Sequence, residues 1–322
     1  MIIRHILVTA ISGDIANGIL KILAEDDLNE LYGCDVNSVA IGMDKVRHYW
    51  QCKYAHEDGY IDELLEKCMY YKISHLIVTN EREIEAVSGK IKRFSELGIK
   101  ITIQSKDILK ICLDKYKTME FLKRGGISVP NSYISINNIL WDEGKKYILK
   151  PRKSNGSKGI RIIDHKESLT EDELEGYLLQ EYIEGNDEYT LGVFRQGSVT
   201  NIIVFKRMLR SGYSYRVELK KNKEMEDLAE KVANLFSLEG FFNIQLIKKD
   251  DKLYIFEINP RISGTVRFRH MLGFKDVLWW LDMLDGKNVE EYKCHFDIAV
   301  GIRELNEKFL VLETKTKKGG AV

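Results

Sequence analysis

Up to about residue 105 the chain alternates short aliphatic runs with amphipathic ones, and this restricts its fold more than any other feature. "HILVTA" (5–10) reads as a strand, and Ser12-Gly13-Asp14 leads into a helix through "IANGILKILAED". "LYGCDV" (31–36) is a second strand, "YIDELLEKCMYYK" (60–72) a helix and "HLIVTN" (75–80) a strand. "EIEAVSGKIKRFSELG" (83–98) follows as a helix and "IKITIQ" (99–104) as a strand. Strands that alternate with helices across short turns predict a parallel sheet covered on both faces. "TAISGDIANG" (9–18) holds Gly13 and Gly18 without a GxGxxG spacing, which argues against a dinucleotide site.

From Ser105 the pattern changes. "DILKICLDKYKTMEFLKRGG" places Ile108, Ile111, Cys112, Met119 and Leu122 at helical spacing, with Asp107 as the expected N-cap and Gly125-Gly126 as the stop. Strands are expected in "KKYILKP", "GIRIID", "YLLQEYI", "EYTLGVF", "SVTNIIVFKRML" and "SYRVELK". After a helix at 224–236, "FFNIQLIKK" and "KLYIFEINP" read as a hairpin joined by Asp250-Asp251, and 270–285 reads as helical. The expected class is an α/β domain followed by an α+β region rich in antiparallel strands. The polar end, 306–322, is expected to be disordered.

Composition narrows the partners. Lys+Arg and Asp+Glu balance at 49 each, so net charge gives no pull toward nucleic acid or an anionic membrane. No apolar run approaches the ~20 residues of a membrane helix, and the chain enters a strand with no apolar signal core. Five scattered cysteines without CxxC spacing point to a reduced, cytoplasmic setting with no disulfide framework or zinc site.

The chemistry gathers in "YIFEINPRISGT" (254–265). On a strand, residues two apart share a face, so Glu257 and Asn259 point together, and Gln245 on the partner strand can join them. Three oxygen donors on one face suit a hard cation such as Mg²⁺; a satisfied polar cluster on a solvent-facing sheet is the plainer alternative. Pro260 ends the strand and leaves Arg261 beside that face, where a transferring phosphoryl group needs a cation. Lys150 lies in an aliphatic strand, and a buried lysine needs an anion. The loop after it carries Gly156 and Gly159 among small and basic residues, which lets backbone amides approach phosphate oxygens. A plain hairpin tip would look the same. Lys115 by itself reads as a solvated helix residue.

Taken in order, "DKYKTMEFLKRGGISVP", "YILKPRKSNGSKGI", "QEYIEGNDEYT", "NIQLI" and "FEINPRISGT" resemble the ATP-grasp superfamily, most of all the ATP-binding halves of carbamoyl phosphate synthetase. The resemblance covers roughly 105–290, and the preceding residues are similar to a pre-ATP-grasp domain. It implies three parts: 1–105, a small lobe over 106–182 and a large lobe over 183–305. By resemblance, Lys115 and Lys150 hold the ATP phosphates, and Ser154, Asn155, Gly156, Ser157 and Gly159 belong to the loop above them. Gln180, Glu181, Tyr182 and Ile183 form the hinge beside adenine, with Glu181 and Ile183 acting through the backbone, and Glu188 meets ribose. Gln245, Glu257 and Asn259 match the Mg²⁺ ligands, where Mn²⁺ can substitute. Arg261 matches the arginine near the γ-phosphate, and Arg207 a basic position near the reactive phosphate. Arg216 is a looser substrate candidate. Arg267 and Arg269 would share a face if "TVRFRH" were extended, as carboxylate binders or as plain surface charge.

The implied activity is ATP-dependent joining of a small carboxylate to an amine through an acyl phosphate. Carboxylate or carbamate phosphorylation, or a non-catalytic ATP-binding subunit, are the alternatives. One grasp unit excludes complete carbamoyl phosphate synthesis by this chain alone. A homodimer stays open by the same resemblance.

Overall fold

The computed structural model describes residues 3–142, 144–153, 159–164, 169–185 and 187–304. The loop residues Ser154, Asn155, Gly156 and Ser157 and the 306–322 tail lie outside the described residues.

The first part contains β1 (Arg4–Thr9), α1 (Asp14–Leu23), β2 (Asn29–Asp35), β3 (His48–Gln51), α2 (Tyr60–Tyr70), β4 (His75–Ile77), α3 (Glu81–Ser88), α4 (Ile91–Glu96) and β5 (Lys100–Thr102). Its sheet is parallel throughout, in the order β3-β2-β1-β4-β5. The alternation therefore gives the expected sheet, with two corrections. β3 is an edge strand of half-exposed aromatic and polar residues with no aliphatic run to announce it. The helix expected over 83–98 is two, α3 and α4, separated at Gly89-Lys90.

Next come α5 (Lys106–Cys112) and α6 (Lys115–Arg124), where a single helix was expected. Asp114 interrupts the run. Its carboxylate accepts from the amides of Tyr116 (3.1 Å) and Lys117 (3.3 Å) and so caps a new helix, while Ser105, not Asp107, caps α5. The small sheet holds β6 (Ser132–Tyr133), β7 (Tyr147–Pro151), β8 (Arg161–Ile163) and β9 (Tyr177–Glu181) in the order β6-β9-β7-β8.

The large sheet adds β10 (Glu188–Gln196), β11 (Val199–Arg210), β12 (Tyr213–Lys220), β13 (Gly240–Lys249), β14 (Lys252–Asn259) and, at the edge, β15 (Val300–Ile302). Its order is β14-β13-β10-β11-β12-β15, and every pairing is antiparallel. The β13–β14 hairpin turns at Asp250 and Asp251, both left-handed (φ 47° and 57°), as a mirror-image tight turn requires. The remaining helices are α7 (Lys223–Leu235), α8 (Val266–Met271) and α9 (Asp276–Leu284). Left-handed Gly273 (φ 84°) lies between α8 and α9, so the helix expected over 270–285 is also broken.

Both faces of the large sheet are packed. One face carries Phe194, Phe205, Val217 and Phe241 against α9 Trp280 and, in the same cluster, Ile6, Val8, Ile19 and Leu20 of the first part. The other face carries Leu191, Val204, Ile244 and Ile255 against α5, α6 and α7 through Ile108, Met119, Leu122 and Ala229. The stretch 106–124 thus packs on the large sheet through Ile108, Met119 and Leu122. Asp285, at the end of α9, ties the bottom of the first sheet to the rest. It accepts from Arg4 (2.8 and 2.7 Å), lies 3.0 Å from His75 Nε2 and pairs with Lys100.

Candidate active site

The face of the large sheet that packs Phe194 and Phe241 at one end is polar at the other. Glu188 and Thr190 of β10, Arg207 of β11, Gln245 of β13 and Glu257 and Asn259 of β14 line a cleft of about 620 Å³. Lys150 and the 180–183 hinge line it from the small-sheet side, Lys115 from the start of α6, and Ala10, Gly13, Asp14, Thr79 and Asn80 from the first sheet.

Glu257 faces this cleft because the strand is irregular. Gln245 pairs with Glu257 but Leu246 pairs with Ile255, so Phe256 is an extra residue, a β-bulge. Strict alternation would send Glu257 the way of Leu253 and Ile255, into the core. The bulge resets the parity: Ile255 and Ile258 both stay in the core, while Glu257 and Asn259 line the cleft.

Cations surround that carboxylate. Lys115 begins α6 directly after its Asp114 cap, and its Nζ lies 3.3 Å from Glu257 Oε1. A lysine in the first turn opposes the helix dipole, so local helix stability does not account for it. Lys150 alternates with Tyr147 and Leu149, which fill the small-sheet core, and so points into the cleft. It is 6% exposed, and its Nζ donates to the Phe256 carbonyl at 3.4 Å, beside the bulge. Burial pushes the ammonium down to about 8, against the attraction of Glu257 and with the repulsion of Lys115. Burial also pushes the Glu257 carboxyl up, but Lys115, Lys150 and Arg207 outweigh it and hold the group below the usual carboxylate range. Glu257 is therefore ionised at neutral pH.

Arg207 donates through Nε to Glu188 (2.7 Å) and through Nη2 to Gln245 Oε1 (2.9 Å), so these three expected site residues form one group. Arg261 donates to Glu81 Oε1 (2.9 Å) and to the Ile262 carbonyl (3.2 Å). At the hinge, the Gln180 amide donates to Ser132 Oγ (2.9 Å), and the Glu181 carboxylate takes Asn131 (3.0 Å) and Lys145 (2.9 Å). These side chains are engaged within the small lobe, and the main-chain amides of Glu181 and Tyr182 donate to the carbonyls of Asn131 (2.8 Å) and Lys146 (2.9 Å). Tyr182, Ile183, Ile148, Ile160, Ile247 and Phe256 give this end of the cleft an apolar lining. Gly159, at the end of the glycine-containing loop, is left-handed (φ 73°).

Three expected substrate residues fall elsewhere. Arg216 pairs with Glu218 (2.9 Å) on β12 and does not line the cleft. "TVRFRH" is helical, so residues two apart point in nearly opposite directions rather than together. Arg267 pairs with Glu25, and Arg269 is 0% exposed and bound to Asp276. Thr79 and Asn80 line the cleft without notice in the sequence, while Glu81 holds Arg261 and Asp114 caps α6 beside Lys115. Asp114 left a sequence signal, a capping residue inside a helical pattern.

Among the described residues no cluster of three His, Cys, Asp or Glu side chains is placed to hold a metal. The donors that fit Mg²⁺ are instead one ionised carboxylate, Glu257, and two amide oxygens, from Gln245 directly opposite and Asn259 two residues on. Such a set leaves coordination positions for phosphate and water, which is how Mg²⁺ is commonly held at nucleotide sites.

Comparison with known proteins agrees with this geometry. An ATP-grasp domain model matches residues 112–265. The chain is 28% identical over 196 residues to D-alanine–D-alanine ligase of Fusobacterium nucleatum, covering 55% of this chain and 67% of that protein. It is 25% identical over 255 residues to the arginine-specific carbamoyl phosphate synthase large chain of Halalkalibacterium halodurans, covering 72% of this chain but 24% of that one. Among solved structures, N5-carboxyaminoimidazole synthetase from Staphylococcus aureus, complexed with ADP, superposes with a TM-score of 0.75 at 15% identity, over 94% of this chain and 83% of that one. An L-amino acid ligase from Bacillus licheniformis gives a TM-score of 0.68 at 13% identity, over 87% and 74%. These similar proteins are named as ligases, a synthase and a synthetase. With the parallel sheet, the two antiparallel sheets and the cleft between them, they show that residues 112–265 are an ATP-grasp domain.

Proposed function

We propose that this chain is an ATP-dependent carboxylate–amine ligase that forms an amide through an acyl phosphate. The observation that carries the reading is the convergence, in one cleft, of the cations Lys115, Lys150, Arg207 and Arg261 with the donors Gln245, Glu257 and Asn259. Two of the similar proteins are named as ligases of amino acids, which supports the amide-forming chemistry.

In this reading the adenine lies against Ile148, Tyr182, Ile183 and Ile247, and Glu188 meets the ribose. Lys115 and Lys150 hold the phosphates. Mg²⁺, when bound by Gln245, Glu257 and Asn259, supplies charge neutralisation at the phosphate oxygens. Glu257 serves this task because its neighbours keep it ionised in a half-buried place. Arg261 and Arg207 stabilise charge on the phosphoryl group as it transfers. A carboxylate oxygen of the first substrate bonds to the γ-phosphorus as the bond to ADP breaks. The amine nitrogen of the second then bonds to the acyl carbon, phosphate leaves with the acyl C–O bond pair, and the nitrogen releases a proton to solvent. Positioning and charge account for the rate, and no side-chain nucleophile is needed.

The test is ADP release screened against pooled amino acids and sugar acids, with and without hydroxylamine. A hydroxamate from one carboxylate, replaced by an amide when an amine is supplied, is the expected result. Hydroxamate formation with no amide from any amine would reduce the activity to carboxylate phosphorylation. ADP release indifferent to every carboxylate would refute the reading.

A further inference from the structure

Arg269 and Asp276 form an ion pair with no exposure on either side, directly beneath the cleft. Arg269 donates through Nε (3.0 Å) and Nη2 (2.5 Å) to Asp276 Oδ2, and its guanidinium lies 4.6 Å from the centre of the Phe241 ring. Its remaining nitrogen, Nη1, donates to two hydroxyls in the loop that follows β14: Ser263 Oγ (2.8 Å) and Thr265 Oγ1 (2.6 Å). Ser263 Oγ in turn donates to Asn243 Oδ1 (3.0 Å), which also receives Thr190 Oγ1 (2.8 Å). Asn243 stands opposite Asn259, and Thr190 opposite Gln245. A connected set of buried bonds thus runs from α8 to the strand positions of two expected Mg²⁺ donors, and it grips the loop that carries Arg261.

The sheet makes room for this arginine. Gly192 lies under it, and a Cβ there would come within 2.6 Å of Arg269 Cδ. Stability alone is a poor reason for such an arrangement, because a buried ion pair is often matched or bettered by apolar residues of the same volume. Orientation is a better one. The guanidinium fork is planar and rigid, so two hydroxyls and a carboxylate bound to it have fixed relative positions.

We infer that Arg269 is a positioning residue: through Ser263 and Thr265 it fixes the 260–265 loop so that Arg261 meets the γ-phosphate. This rests on the reading of Arg261 given above, and it assigns Arg269 a role without contact with substrate.

The test needs no knowledge of the substrates. Affinities for Mg·ADP and for Mg²⁺ with a non-hydrolysable ATP analogue are measured by calorimetry, together with thermal unfolding. The proteins compared are the parent, Arg261→Met, the apolar pair Arg269→Met with Asp276→Leu, and the combination of all three substitutions. The apolar pair should unfold at or above the parent temperature and bind ADP within about twofold of it. Its preference for the ATP analogue over ADP should fall about tenfold, to the level of Arg261→Met, and the triple variant should fall no further. Should the apolar pair fail to fold, Thr265→Val removes one grip with little change of volume and is expected to lower the same preference. A folded apolar pair, or in its place Thr265→Val, that keeps the parent preference while Arg261→Met loses it would overturn the positioning role alone. An Arg261→Met variant that keeps the preference would overturn the placement of Arg261 and this inference with it.

Discussion

Replacing Lys150 with methionine should make the ligand-free protein more stable and a poorer binder of ATP. Burial lowers this ammonium from 10.5 to about 8, which corresponds to about 3 kcal/mol held against its charged form in the folded chain. The sign follows from linkage. Between pH 8 and 10.5 the unfolded chain holds a proton that the folded chain has given up, so the parent gains stability as pH rises through that interval; below it the full cost remains. Methionine fills the same space without the charge, and Glu257 keeps Lys115 as a partner at 3.3 Å. Thermal unfolding at neutral pH should therefore move up by a few degrees, and the gap to the parent should close as pH rises toward 10. Calorimetry with Mg·ATP should show the reverse, an affinity loss of about tenfold or more, since a desolvated lysine–phosphate contact goes with the charge. ATP binding to the parent should also weaken as pH rises past about 8, whereas the variant should lack that dependence. A variant that melts below the parent and binds ATP equally well would show that Lys150 is a structural cation with no part in the site.

Glu257→Gln keeps the shape of the donor set but removes its charge, so carboxylate-dependent ADP release should drop at least about a hundredfold with the fold intact by circular dichroism. Asp285→Asn removes the shared partner of Arg4, His75 and Lys100 and should cost about 2–3 kcal/mol in urea unfolding. Burial pushes the Asp285 carboxyl up, but Lys100 and Arg4, with the His75 ring beside them, outweigh it and hold the group below the usual range, so its contribution is present above about pH 4 and lost on further acidification; the variant should lack that acid-side decline. Replacing Asp250-Asp251 with Asn-Gly relieves two left-handed residues in the hairpin turn and should stabilise the chain by about 1 kcal/mol without altering nucleotide affinity.

The parallel sheet was readable because aliphatic runs and amphipathic helices differ in period. The donor set was readable because a carboxylate and an amide two apart in a strand need an explanation. What escaped has physical reasons. The bulge at Phe256 leaves no mark in a run where every residue is acceptable in a strand; the two-residue rule does place Glu257 with Asn259, and the extra residue is what keeps both Ile255 and Ile258 in the core. The break before α6 was hidden because Asp114 sits in a run that stays periodic on either side. Glu81 reaches Arg261 across 180 positions of chain, a contact that only the packing of the first sheet on the large one creates. Arg269 was read as surface or substrate-facing because a lone arginine usually is; its burial depends on Asp276, which carries no signal of its own.

The division of the apolar cores has a mechanical consequence. The first sheet and one face of the large sheet share a single cluster, in which Ile6, Val8 and Leu20 meet Phe194, Phe241 and Trp280. Among the described residues the small sheet draws its cluster from positions between 133 and 179. Two of the three sheets therefore share one core, a frame, and the third keeps a core of its own, an arm on that frame. Lys150 rides on the arm, whereas Glu257, Arg261 and Lys115 belong to the frame. The 3.4 Å bond from Lys150 Nζ to the carbonyl of the bulged Phe256 is thus a place where arm and frame touch inside the cleft itself.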